Sequence, residues 1–123
     1  LGEEDEKKLA QVFEKYKTPI DMVTTSEVAV SVTIDSDLHL DEIIAELNNI
    51  ASIEVEKNQT IISIVGNEIA KTDAVLTKLF DAINEIPVTM VSYGGSHHNI
   101  SLLIPSEYKT KTLQLVNKGL FNL

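Results

Sequence analysis

Two proline-led stretches, Pro19-Ile20-Asp21-Met22-Val23 and Pro87-Val88-Thr89-Met90-Val91, match one another, and each follows a helix-patterned run and opens a pair of alternating ones. Such a repeat constrains the fold more than any other feature of the chain, because each copy must be one supersecondary unit with the same order of elements. Leu9, Val12, Phe13 and Tyr16 sit at i, i+3, i+4 and i+7, which predicts a helix from about Glu4 to Lys17 that Pro19 ends. Ile20 to Val23, then Val28, Val30, Val32 and Ile34, alternate with polar residues and predict two antiparallel strands. Leu40, Ile43, Ile44 and Leu47 stripe a second helix, with Ser36 and Asp37 as N-cap candidates.

In the second copy Leu76, Leu79, Phe80 and Ile83 stripe a helix that Pro87 ends, "VTMVS" and "NISLLI" read as strands, and a last helix from about Ser106 to Gly119 carries Leu113 and Val116. Between the copies, "SIEVE" (Ser52 to Glu56) alternates as a strand, and "TIISIVG" is an apolar run of the length of a central strand. Helices on one face of an antiparallel sheet in the order βαββαβ make a ferredoxin-like unit. The expected fold class is therefore α+β, with two ferredoxin-like units in tandem, residues 1–58 and 59–123. Each is expected to be short of a strand: "LGEEDE" has no period-two apolar pattern, and the second unit closes on a helix. Unpaired sheet edges predict that a strand is borrowed from upstream or that two copies associate.

Composition narrows the function. A chain of 123 residues that is 43% hydrophobic can bury a core, and its formal net charge of -9 argues against a nucleic-acid partner, which needs clustered Lys and Arg. A cationic or amphoteric small ligand suits that charge better. The absence of cysteine excludes thiolate catalysis and sulfur-ligated zinc. No apolar run reaches the roughly 20 residues that span a bilayer, and the acidic start is unlike a signal peptide, so a cytoplasmic location without a membrane partner is expected.

"VFEKYKTPIDMVTTSEVAVSVTID", "IEVEKNQTIISIVGN" and "VTMVSYGGSHHNISLLIP" closely resemble the carboxy-terminal regulatory region of aspartokinase, a tandem of ACT domains, and the resemblance runs from Val12 onward. Its most specific piece is Asp21-Met22-Val23-Thr24-Thr25-Ser26-Glu27, which is similar to the lysine-sensitive, single-function branch of that family. The resemblance implies an allosteric sensor: an attached amino-kinase domain phosphorylates L-aspartate with ATP, and end-product L-lysine or a related amino acid binds the ACT units at a subunit interface to inhibit it. It also implies a homodimer, and ATP and Mg only in the kinase domain, so that neither catalysis nor a cofactor is expected of this chain. Where the family carries a Met-Leu strand and a Gly-Phe turn before the first helix, this chain reads "LGEEDE", whose acids repel a carboxylate.

By that resemblance the effector-binding residues are Pro19, Ile20, Asp21, Thr25, Ser26 and Glu27. Their chemistry is apt: Asp21 and Glu27 can accept charge-assisted bonds from the two ammonium groups of lysine, and Thr25 and Ser26 can donate or accept. Without the resemblance, a Thr-Thr-Ser-Glu run between strands is more often a hydrogen-bonded connection than a ligand site. His97 and His98, with His39 or Asn99, are poor metal candidates, because neighbours on a strand point to opposite faces. Gly94-Gly95-Ser96 lacks the Gly-Lys-Ser/Thr ending of a phosphate loop, and Gly66-Asn67 reads as a strand-ending turn. The alternative function is a dimerisation module with an incomplete ligand pocket.

Overall fold

In the computed structural model the described residues are 3–65, 73–93 and 99–122. The chain divides into two compact units, Leu1–Val55 and Glu56–Leu123. The boundary thus lies between Val55 and Glu56, whereas the sequence placed it after Asn58.

The first unit runs α1 (Glu3–Lys15), β1 (Ile20–Thr25), β2 (Val30–Ile34), α2 (Leu40–Leu47). Four acids in the first turn of α1 and Lys15 in its last complement the helix dipole. β1 and β2 form an antiparallel hairpin. Phe13, Ile43 and Leu47 are its buried core, with Leu9, Val12, Tyr16, Ile20, Val32, Ile34 and Ile53 packed around them. α2 begins later than its cap candidates: Ser36 Oγ accepts from the Leu38 amide, the Leu40 amide donates to the Asp37 carbonyl, and His39 stands at the N-cap without a side-chain bond to a backbone amide. Ser36 and Asp37 thus shape the preceding turn instead of capping the helix. "SIEVE" is not a strand, because β1 and β2 pair only with each other and Ile53 joins the core without a ladder.

The second unit runs β3 (Gln59–Val65), α3 (Asp73–Ala82), β4 (Met90–Ser92), β5 (Asn99–Pro105), a short 3-10 turn (Ser106–Tyr108) and α4 (Lys109–Phe121). All pairings are antiparallel in the order β3-β5-β4, which is three-quarters of the ferredoxin-like sheet. β5, buried along Ile100 to Ile104, is the central strand, and β3, expected at the centre, is an edge among the described residues. Ile62, Ile64, Leu79, Ile83, Ile86, Ile100, Leu102, Ile104 and Val116 make the core under α3 and α4. Phe80 and Leu113 lie at the rims of their helical stripes and stay exposed. Gly119 of α4 meets Ala82 so closely that a Cβ added there would stand 2.5 Å from the Ala82 Cβ.

Candidate functional site

The chain enters β1 through a tightly bonded corner. The Lys17 amide donates to the Glu14 carbonyl at 3.0 Å and the Thr18 amide to the Phe13 carbonyl at 2.9 Å, the two bonds of a Schellman motif, with Lys17 left-handed at φ 50 where glycine is usual. Thr18 is only 5% exposed, and its hydroxyl donates to the Tyr16 carbonyl at 3.1 Å. Pro19 follows at the surface and Ile20 packs into the core.

At Asp21 the ladder slips: Ile20 pairs with Ile34, but Met22 pairs with Thr33, which leaves Asp21 as the extra residue of a β-bulge. The Met22 amide donates to Thr33 Oγ1 at 2.9 Å. A side-chain hydroxyl thus serves the bulged amide, and Asp21 is turned out to solvent.

Thr25, Ser26 and Glu27 gather at the other end of β1, all exposed. Ser26 is already engaged: its amide donates to the Ala29 carbonyl at 2.8 Å, and its hydroxyl accepts from the Ala29 amide at 3.2 Å. Of the Thr-Thr-Ser-Glu run, then, Ser26 chiefly builds the hairpin turn, while Thr25 and Glu27 present their side chains. From Asp21 to Thr25 is four residues of strand, roughly 13 Å. The structure therefore sorts the six sequence-derived residues into a root, Pro19-Ile20-Asp21, and a tip, Thr25-Ser26-Glu27, and does not gather them around one point. Between root and tip Met22 is buried and Val23 is 52% exposed, and Val28, in the turn beyond Glu27, is 84% exposed.

A second polar cluster ties the corner to α2. Glu46 accepts from the Tyr16 hydroxyl and from Lys15 Nζ at 2.9 Å. Lys15 Nζ also lies 5.2 Å from the centre of the Tyr16 ring, whose centroid is 5.8 Å from that of His39. The Tyr16 hydroxyl first, and then the Lys15 ammonium, hold the Glu46 carboxyl below the usual carboxylate range, and Glu46 raises both Tyr16 and Lys15 in return. His39, paired with Glu42 at 2.8 Å, is committed within α2's first turn. Neither this cluster nor the partnership of Thr33 with the bulge shows in the sequence; a hydroxyl across from an acid becomes meaningful only when the register is known.

Among the described residues no group of three His, Asp or Glu could hold a metal ion, and no helix is long and apolar enough to cross a membrane. His97, His98, Gly94-Gly95-Ser96 and Gly66-Asn67 lie outside the described residues.

The ACT domain family matches residues 62–120. The chain is 29% identical to lysine-sensitive aspartokinase 3 of Escherichia coli K12, over 92% of this chain and 28% of that protein, so it spans little more than a quarter of this curated relative. A solved structure assigned as the C-terminal regulatory domain of an aspartate kinase from Porphyromonas gingivalis W83 is 41% identical, with a TM-score of 0.89 over 99% of this chain and 84% of that one. E. coli aspartokinase III in complex with lysine and aspartate, in its T-state, superposes with a TM-score of 0.84 at 26% identity, over 98% of this chain and 28% of that one.

Proposed function

This chain belongs to the family of aspartokinase regulatory domains built from ACT units, and from that premise we propose that it senses L-lysine and feeds its occupancy back to an aspartate kinase. The observation that carries the reading is Asp21: an acid lifted out of an apolar strand by a bulge, on a hairpin whose tip offers a second acid, Glu27. Lysine has two ammonium groups for two carboxylates, and its aliphatic stem suits the exposed side chain of Val23. The likeness to an E. coli enzyme solved with lysine supports the choice of ligand.

Because root and tip lie at opposite ends of β1, the site is completed across a pair of hairpins, with Asp21 of one copy facing Thr25 and Glu27 of a two-fold partner. A two-fold that pairs the hairpins antiparallel brings each root to the other's tip and covers the exposed Val23 of both. For feedback, lysine must favour one dimer arrangement over another by a difference in affinity. The kinase chemistry, with ATP, Mg and L-aspartate, is assigned to an amino-kinase domain of the same cytoplasmic enzyme, and this chain is assigned no cofactor or catalytic residue.

Calorimetric titration of L-lysine, with L-threonine as control, tests the reading. Saturable binding of lysine that is lost in Asp21→Asn is expected. Absence of lysine binding, with a dimer still formed, would favour the dimerisation module without a sensing role.

A further inference from the structure

We propose that Tyr16 is a positioning residue that couples α2 to the strand presenting Asp21. The inference rests on the effector reading above and names the element through which occupancy leaves the site. Tyr16 touches both ends of α2: its hydroxyl donates to Glu46 in the last turn, and its ring lies 5.8 Å from that of His39 at the N-cap. On its other side the Tyr16 carbonyl accepts from Thr18, which is buried and bonded to Phe13, and two residues beyond Thr18 stands Ile20, packed into the same core as Tyr16. Asp21 follows directly. A shift at the root of β1 is therefore passed to Tyr16 through hydrogen-bonded backbone, and from Tyr16 to α2 through its hydroxyl and ring. Packing alone does not call for that hydroxyl, since phenylalanine would fill the same space. The Lys15 to Glu46 pair, exposed at its lysine end, is a screened surface contact that holds α2 weakly by itself.

Hydrogen exchange on the whole chain, as wild type, Tyr16→Phe and Glu46→Ala, tests the coupling. Without ligand, the Thr18 and Met22 amides should exchange about threefold faster in both variants, while the Ile62 and Leu103 amides of the second unit keep their wild-type rates. With saturating L-lysine, the Ile43 and Leu47 amides of α2 should gain protection in the wild type and lose most of that gain in both variants, while the Ile62 and Leu103 amides respond alike in all three. Equal exchange at Thr18 and Met22 in all three proteins, or an equal gain in α2, would overturn the proposal. If the wild type binds no lysine, the effector reading fails on its own, and the comparison without ligand still decides whether Tyr16 orders the corner.

Discussion

The Thr33 hydroxyl occupies the place of a backbone carbonyl where β1 bulges, and so decides whether Asp21 faces solvent in one orientation or several. Thr33→Val removes that acceptor without changing shape, so the Met22 amide loses its partner in a part of the hairpin that is half-buried. A loss of about 1–2 kcal/mol is expected in urea unfolding, with weaker lysine binding; wild-type affinity in Thr33→Val would mean that the bulge orients nothing. Glu46 yields a prediction in pH. Its carboxyl is held low by Tyr16 and Lys15 in the folded chain, so the stability it adds is present above the unfolded carboxylate value of about 4.3 and is lost as pH falls through the lower, folded value. The urea midpoint of the wild type should therefore approach that of Glu46→Gln as the pH is lowered from about 5 to 3. Midpoints that stay a constant distance apart would contradict the depressed value.

Helices and strands were legible in the sequence where one face alone is buried. The stripe Leu9, Val12, Phe13, Tyr16 and the alternation through Val30, Val32 and Ile34 each mark such a face, and the elements stand where those patterns put them. "SIEVE" carries the same alternation without being a strand, because periodicity reports which side chains are buried and not whether the backbone has a ladder to join. An apolar run suggests a central strand, yet β3 stands at one side of the order β3-β5-β4 among the described residues, with Ile61 and Val65 on its open face, so an apolar run does not fix a strand's place in a sheet. The bulge at Asp21 was out of reach for a related reason: register emerges from two strands together. Element packing gives its own test in α3 and α4, where Gly119 lets the helices approach to Ala82. Gly119→Ala gains helix propensity yet forces the pair apart, and a net loss of about 1–2 kcal/mol is expected in thermal or urea unfolding. A variant more stable than wild type would show that the helices separate freely.

At the scale of the molecule, one repeated unit has been put to two uses. The first unit is a two-stranded hairpin with two helices, with acids at the root and tip of β1 and exposed Val23 between them. The second is a three-stranded sheet on a well-filled core that gives the chain most of its buried apolar residues. That the six residues proposed for the effector would divide into two groups was not visible in the sequence, since neighbours along a strand look close until its length is counted. The division is also what makes the proposed function depend on a pair of chains. The measurement that tests this most directly is lysine titration of an equimolar mixture of Asp21→Asn and Glu27→Gln chains, after unfolding and refolding together, against each variant alone. If root and tip meet across a two-fold, each mixed dimer regains one intact site, and random pairing predicts about a quarter of the wild-type capacity at wild-type affinity. A mixture that binds no more lysine than the separate variants would contradict a site shared between copies.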